Sequence, residues 1–160
     1  MFNYQLFVAN SLIPNAGNGV FTQELIDSKK VVVFPNERNT LLTKDEFKDF
    51  PTDQAQLQSA IRWFDETYTI DPEWSLECNF NHSFNPNCLW YLGFIISLRT
   101  IQPGEELLID YRYLLEEDYT LEFCDSLTGE EIKGFSWREK MRRGAIVIAE
   151  LFSEEEAYQS

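Results

Sequence analysis

The 160 residues include 13 Lys and Arg against 27 Asp and Glu, which gives a formal net charge of −14. A field of that sign repels nucleic-acid phosphates and anionic membrane surfaces and attracts cationic partners, so we expect no nucleic-acid or membrane partner. The hydrophobic fraction of 44% and the aromatic fraction of 15% are typical of a globular domain and exclude a disordered chain.

The cysteines and the N-terminus bear on metal binding and location. Cys78, Cys88, Cys124 and the single histidine, His82, form the only candidate zinc set, and their spacings are unlike those of paired ligands, so no metal is expected. Three free thiols suit a reducing compartment. The first residues lack the pattern of a signal peptide, and no apolar run approaches the ~20 residues that span a bilayer. We therefore expect a cytoplasmic protein, or one delivered into a host cell if it comes from a pathogen.

The first part of the chain predicts short strands followed by a helical insert. YQLFVAN leads into a turn at PNAGNG, and VFTQELI and KKVVVFPN follow as strands. Thr43 and Thr52 are both candidate helix caps, and residues 52–66 place apolar side chains at helical spacing. We predict a helical insert over about residues 43–66.

The second part returns to strand composition. TYTID, WSLECNF, LWYLGFIISLRTI and LLIDYRYLL all predict strands. Residues 116–131 contain seven acidic residues and no basic one, and SWREKMRRGAIVIAELF predicts an amphipathic C-terminal helix. Many short strands with an inserted helix and a terminal helix indicate an α+β, mainly β domain.

Two glycine-containing segments are candidates for chemistry. In NAGNGVF, Gly17 and Gly19 flank Asn18, and glycines let a ligand approach the backbone, although Asn-Gly is also the commonest hairpin turn. In IQPGEELLIDY, a type II turn at Pro103-Gly104 precedes a strand that ends in Asp-Tyr. A buried hydroxyl at Tyr111 needs a partner or a task.

The third candidate is NFNHSFNPNC, which is too polar and too rich in turn residues for an ordinary strand or helix. Its amides, imidazole and local turns expose groups that hold a ligand. Taken alone, the lone His82 is more typical of a hydrogen-bonded structural residue than of a catalyst.

Together and in this order, the three segments resemble the SET-domain protein lysine methyltransferases. Residues 17–21 match the first motif of that family, residues 81–87 match N-H-S-C-x-P-N, and residues 101–111 match I-x-x-G-E-E-L-x-x-D-Y. The resemblance implies a SET-domain (β-clip) fold of short strands, in which the second and third motifs cross in a knot-like arrangement.

The resemblance also implies a cofactor and roles for individual residues. The cofactor is S-adenosylmethionine, and a lysine enters a channel from the opposite face. Tyr111 matches the tyrosine beside the transferred methyl group. The positions expected along the cofactor are Gly17, Asn18, Gly19, Asn81 and His82, the last largely through its backbone. Tyr68, Trp63 and Trp90 are candidate walls of the lysine channel, and core packing is the alternative for each.

The chain departs from the family pattern at several positions. Phe84 stands where the family commonly has Cys, and Arg112 where Gly or Asn is usual. The three-cysteine zinc module that follows many SET domains is absent. We expect residues 116–160 to close the site without metal, as part of the same domain as residues 1–115. Phe135 or Trp137 then packs on the cofactor, or both simply anchor the last helix.

The resemblance predicts a small stand-alone enzyme that methylates a lysine of a basic protein, histone-like or ribosomal, and acts as a monomer or homodimer. A SET fold that has lost catalysis and serves as an interaction module is the alternative, motivated by the departures. A zinc protein is a third possibility.

Overall fold

The computed structural model describes residues 2–35, 40–50, 59–71 and 73–153. Within those ranges the strands are β1 Leu6–Asn10, β2 Asn18–Thr22, β3 Val31–Val33, β4 Thr40–Leu42, β5 Ile61–Arg62, β6 Tyr68–Ile70, β7 Asn81–His82, β8 Cys88–Tyr91, β9 Phe94–Ser97, β10 Glu106–Ile109, β11 Thr120–Cys124 and β12 Glu131–Lys133. The α-helices are α1 Lys44–Asp49 and α2 Trp137–Ser153, with short 3-10 helices at Leu76–Asn79 and Tyr111–Tyr113. The prediction of an α+β, mainly β fold is confirmed. Among these helices none is both long and apolar enough to cross a membrane.

The strands form four small sheets, of which one organises the site. Its order is β1-β2-β10-β7, and the others are β3-β9-β8, β4-β6-β5 and β11-β12. β10 pairs antiparallel with β2 and parallel with β7, so the three motif segments of the sequence become neighbours in one sheet. Val20, Leu107 and Ile109 from this sheet pack in the main core with residues of the β3-β9-β8 sheet.

The helical insert is shorter than predicted. Thr43 caps α1 through a capping box: its Oγ1 accepts from Glu46 N at 3.3 Å, and Glu46 Oε2 accepts from Thr43 N at 2.8 Å. Residues 51–58, which include Thr52, lie outside the described part of the chain. The prediction of helix over residues 59–66 is wrong, because β5 pairs there with β6 and Ile61 packs on the main core.

WSLECNF was predicted as a strand and instead contains the 3-10 helix Leu76–Asn79. The buried Asp71 side chain explains the difference, since its oxygens accept from the backbone N–H groups of Glu73 and Ser75, both at 3.0 Å. A carboxylate that bonds to nearby backbone winds the chain into a turn and withdraws those donors from a strand ladder.

LLIDYRYLL likewise stops being a strand earlier than predicted. β10 ends at Ile109, and the Asp110 side chain accepts from Arg112 N at 3.0 Å as the N-cap of the 3-10 helix Tyr111–Tyr113. This turn lifts Tyr111 out of the sheet.

The acidic stretch, for which no secondary structure was predicted, forms the hairpin β11–β12, and the predicted C-terminal helix α2 is present. The hairpin lies against the segment after β10, because Gly134 N donates to Tyr119 O at 2.9 Å and Phe135 N donates to Arg112 O at 3.0 Å. A Cβ at Gly134 would overlap Glu116 O, so only glycine fits this close approach.

Candidate active site

A cavity of about 1450 Å³ opens where the motif sheet, the β4-β6-β5 sheet and the hairpin β11–β12 meet. Such a volume exceeds that of common small-molecule sites, so it has room for two reactants. Of the residues predicted from the sequence, those that line it are Asn18, Trp63, Tyr68, Asn81, His82, Trp90 and Tyr111. Tertiary folding therefore brings most of the predicted site into one space.

The two glycines of the first motif serve different purposes, and neither is among the described residues that line the cavity. Gly17 has φ of +75° with open space around it, so its backbone conformation requires glycine. Gly19 is constrained by neighbours, because a Cβ there would overlap the Glu106 carboxylate. The interpretation of Asn18-Gly19 as a hairpin turn is wrong, because both residues lie in β2, opposite Asn10 and Ala9 of β1, and the turn between the two strands is residues 11–17.

Glu106 is a site residue that the sequence reasoning missed. Its side chain is buried, and its carboxylate accepts from Ser11 Oγ at 2.8 Å, Leu12 N at 2.8 Å and Asn81 Nδ2 at 2.9 Å. Glu106 thereby joins the loop before the first motif to the start of the second. The sequence signal was its place in the third motif, as the second glutamate of G-E-E-L. From the sequence alone that glutamate is indistinguishable from a polar residue of the turn at Pro103-Gly104.

Asn81 belongs to the same cluster. Its amide nitrogen donates to Asn18 O at 2.7 Å and to the Glu106 carboxylate. Both N–H donors of the amide are then used, so the group that Asn81 offers to a ligand is its carbonyl oxygen, an acceptor.

Asn87 fixes the second motif to the third. The Asn87 side chain is 2% exposed; Nδ2 donates to Glu106 O at 2.8 Å, and Oδ1 accepts from Leu108 N at 2.8 Å. The side-chain amide thus pairs with one backbone C=O and one backbone N–H of β10, the two kinds of group that a neighbouring strand would otherwise pair with.

The imidazole of His82 is a structural group in this fold. Its side chain is 3% exposed, and Nδ1 accepts a hydrogen bond from Tyr111 N at 3.0 Å. Burial lowers the pKa of His82, against the opposing effect of Asp110 and Asp125. Since Nδ1 is an acceptor, the neutral ring carries its proton on Nε2. Contact of the His82 backbone with a cofactor stays a prediction.

Tyr111 lines the cavity with a hydroxyl that is already oriented. Tyr111 OH donates to Phe80 O at 2.5 Å, which leaves the oxygen lone pairs free to accept. Burial, with a smaller contribution from Glu106, raises the pKa of Tyr111 to about 12. The group is therefore a neutral phenol at physiological pH and positions a reactant without acting as a base.

Aromatic rings contribute to the lining of the cavity. The rings of Trp63 and Trp90 lie 5.9 Å apart, Trp63 Nε1 donates to Thr69 Oγ1 at 2.9 Å, and Tyr68 stacks on Phe47 at 4.3 Å. Trp63, Tyr68 and Trp90 also pack in the cores, so core packing is observed for each, and their role in a lysine channel stays a prediction. Packing fixes the faces that the rings present to the cavity.

Comparison with known families identifies this site. The family model of the SET domain matches residues 17–112, more than half of the chain. This chain belongs to the SET-domain family. It is also 32% identical, over 126 residues, to the histone-lysine N-methyltransferase SETD7 of Halocynthia roretzi, an alignment that covers 68% of this chain and 32% of that protein. The chain spans about a third of the length of that relative. Most residues that line the cavity belong to this SET domain, and SET-domain methyltransferases generally use S-adenosylmethionine.

The two departures from the SET pattern pack together outside the cavity. The Arg112 guanidinium pairs with Asp110 through Nε at 2.9 Å and lies 4.2 Å from the Phe84 ring and 4.8 Å from the Phe135 ring. Neither Phe84 nor Arg112 is among the described lining residues. The larger side chains therefore fill space behind the SET motif and leave its cavity open.

Phe135 and Trp137 lie at the junction of the hairpin and α2. Phe135 packs edge-on against Tyr113 at 5.5 Å, while Trp137 stacks on Trp63 at 5.9 Å and has Lys140 Nζ 4.5 Å from its ring. Both residues are outside the set that lines the cavity within the described ranges. Their observed contacts anchor α2, and their contact with the cofactor stays a prediction.

The charge of the cavity lining was not foreseen from the sequence. Its acidic members come from three segments, and the one Lys or Arg among the described lining residues, Arg62, pairs with Glu66 at 3.1 Å. The acidic members are Asp71, Glu77, Glu116, Glu122 and Asp125. A lining of this sign attracts cations.

The cysteines do not group with other ligands. Cys88 is buried, Cys124 is exposed, and the Cys78 thiol lies 3.7 Å from Asp71 Oδ2. Burial raises the pKa of the Cys78 thiol to about 12, so it is protonated. No cluster of three or more His, Cys, Asp or Glu with the geometry of a metal site occurs in the described residues.

Proposed function

We propose that this SET domain is a protein-lysine N-methyltransferase that transfers a methyl group from S-adenosylmethionine to a lysine of a basic protein. The observation that carries the proposal is the neutral, oriented hydroxyl of Tyr111 in a cavity that Asn81 and aromatic rings also line. The similarity to a protein named as a histone-lysine N-methyltransferase supports it.

The residues around the first and second motifs fit the cofactor. The amino-acid end of S-adenosylmethionine carries an ammonium group, and Asn81 offers it an acceptor because both Asn81 donors are used internally. The backbone from Gly17 to Gly19 and the backbone of His82 would hold the rest. When bound, the cofactor supplies a sulfonium methyl that is already electrophilic.

The chain's own groups then prepare the lysine. The amine must lose a proton to become a nucleophile, and desolvation between Trp63, Tyr68 and Trp90 lowers the lysine pKa so that the proton leaves to water. Tyr111 OH donates to Phe80 O, so its oxygen accepts from the amine N–H and directs the nitrogen lone pair. No side-chain base is required.

A basic protein substrate follows from the charge of the cavity. Five acidic side chains line it, and the whole chain carries a net charge of −14. Such a field concentrates a cationic segment at the opening and holds residues that flank the target lysine. A histone-like or ribosomal protein has this character.

The alternative, an inactive interaction module, predicts that the departures obstruct the site. Phe84 and Arg112 instead pack on one another outside the cavity lining, which favours the enzyme. Calorimetry separates the two: the enzyme binds S-adenosylmethionine, and no heat of binding at millimolar cofactor would reject the proposal.

Tyr111→Phe tests the mechanism. Incubation with methyl-labelled cofactor and a panel of basic proteins should label lysine, and the variant should lower turnover at saturating substrates about 100-fold because the amine loses its orienting acceptor. Tyr113→Phe is the matched control, since Tyr113 lies in the same 3-10 helix but does not line the cavity. A Tyr111→Phe enzyme as fast as wild type would show that the hydroxyl has no part in transfer.

A further inference from the structure

Asp125 connects the C-terminal hairpin to the second motif. It is 2% exposed, and its Oδ2 accepts from Leu127 N at 3.1 Å and Thr128 N at 2.8 Å, which closes the turn between β11 and β12. Its Oδ1 accepts from Phe84 N at 3.1 Å, 41 residues away in sequence. Burial tends to raise the pKa of Asp125, but these backbone N–H groups outweigh burial and hold the pKa below its usual value. Asp125 is therefore ionised.

The same carboxylate faces the buried ring of His82. Asp125 Oδ1 lies 3.6 Å from His82 Nε2, and this nitrogen has no hydrogen-bond partner among the described residues. His82 Nδ1 accepts from Tyr111 N, so the ring proton is on Nε2, the nitrogen that lies nearer to the Asp125 carboxylate. A line of contacts thus runs from the hairpin through the imidazole to the backbone of Tyr111.

We propose that Asp125 is a positioning residue that holds His82 in the Nε2–H tautomer, so that Nδ1 keeps accepting from Tyr111 N and the tyrosine stays aligned. A carboxylate that orients an imidazole through one nitrogen determines what the other nitrogen can do. The hairpin is thereby coupled to the site by a side chain, in a segment that carries no zinc ligands. The consequence for transfer rests on the proposed function; the coupling itself does not.

The arrangement responds to acid. The charged groups that face His82 are Asp125, Asp110, whose Oδ1 is 3.9 Å from Nδ1, and Arg112, which is paired with Asp110. Protonation of His82 turns Nδ1 into a donor, which breaks the bond from Tyr111 N. Because burial keeps the His82 pKa below its usual value, this loss occurs as the pH falls below about 6.5. The carboxylates of Asp110 and Asp125 have the opposite effect: they favour the charged imidazolium and so raise the pKa of His82.

The chain permits a direct test because His82 is its only histidine. In the full chain labelled with ¹⁵N-histidine, the two ring nitrogens give one pair of signals that needs no assignment. The wild type should show Nε2 protonated and Nδ1 unprotonated at neutral pH. A titration then measures the pKa of His82, and a ¹⁵N-tyrosine label follows the amide of Tyr111 in the same range.

Asp125→Asn is the informative variant, since it removes the charge and keeps one of the two oxygen acceptors, enough either for Phe84 N or for the two donors of the turn. The pKa of His82 should fall by at least about half a unit, because the anion that favours the imidazolium is gone. The acid limb of the turnover profile should move to lower pH by the same amount. Asp118→Asn, an exposed carboxylate of the same segment that pairs with Lys133 at 2.8 Å, should leave both unchanged.

Asp125→Ala removes the acceptor as well and should populate the Nδ1–H tautomer, lowering turnover about tenfold with little change in the Michaelis constants. The proposal is overturned if wild type has Nδ1–H, or if Asp125→Asn titrates as wild type does. A failure of the proposed function is separate: wild type would then methylate no protein, while the nitrogen signals and the Tyr111 amide still decide the coupling.

Discussion

The parallel pair of β7 and β10, called the crossing below, and the C-terminal closure, residues 116–153, are held together in different ways. At the crossing, buried polar side chains replace backbone partners: Asn87 bonds to two groups of β10, and Glu106 accepts from three donors. In the closure, single side chains bond to the backbone of segments that are distant in sequence. Asp125 joins the hairpin to Phe84, and Lys140 Nζ donates to Leu115 O at 2.6 Å.

The difference shows which region tolerates change. The polar groups of the crossing satisfy strand backbone that has no other partner, so their loss leaves buried groups unpaired. The closure depends on a few ionisable side chains that are largely buried. Because burial shifts their pKa values between the unfolded and the folded state, the stability of the closure depends on pH. We expect substitutions at the crossing to act on folding at every pH, and substitutions in the closure to act selectively.

Asn87→Ala should have the largest effect. It leaves Leu108 N and Glu106 O without their side-chain partner, and two buried unpaired groups cost about 4 kcal/mol of unfolding free energy. Chemical denaturation measures the loss. Asn85→Ala is the matched control, because Asn85 is exposed in the same loop and only its backbone N–H is bonded, to Ser83 Oγ. Equal stability of the two variants would contradict the role assigned to the crossing.

Lys140→Met should have an intermediate effect that depends on pH. Lys140 is 2% exposed, and burial lowers its pKa to about 8, against the opposing effect of Glu116 and Glu117. The folded state releases this proton near pH 8 and the unfolded state near 10.5, so wild-type stability rises with pH across that window. The methionine variant lacks the titration and keeps the bulk over Trp137.

The stability difference, wild type minus Lys140→Met, should therefore grow by about 3 kcal/mol between pH 7.5 and pH 10.5. Denaturation in urea at several pH values measures it. Lys48→Met, at a lysine whose side chain is 62% exposed, should give a flat difference. A flat profile for Lys140→Met as well would mean that the buried ammonium carries no cost and that the closure is no more pH-sensitive than the surface.

Gly19→Ala should have the smallest of the three effects. The new Cβ displaces the Glu106 carboxylate, and relaxation of one side chain against its partners costs about 1 kcal/mol. The informative comparison is cofactor affinity, which should weaken because the displaced carboxylate holds Asn81, and Asn81 in turn donates to Asn18 O. Thr22→Ser, at the far end of the same strand, serves as the control for general loosening of β2. Unchanged stability and unchanged affinity in Gly19→Ala would show that the crossing yields more easily than its packing indicates.

Much of the fold was predictable because its signals are local. Period-two strands, the turn at Pro103-Gly104 and the periodicity of α2 depend on neighbours in sequence. The three motifs identified the family, and Tyr111, Asn81 and His82 were found in or beside the cavity. The failures also have a local cause. Residues 59–66 have helical spacing, yet pairing of β5 with β6 and burial of Ile61 outweigh that propensity.

By itself, the sequence determined the fold class, the family and the group of residues around the cavity, since each rests on a short pattern with a defined local geometry. Only the tertiary structure decided what those residues contact. Ser11 and Glu106 are 95 positions apart, Phe84 and Asp125 are 41 apart, and Leu115 and Lys140 are 25 apart. Contacts across such separations depend on how the sheets pack. For that reason the sequence favours a structural role for His82, but only the fold shows that it lies buried between the Asp125 carboxylate and the backbone N–H of Tyr111.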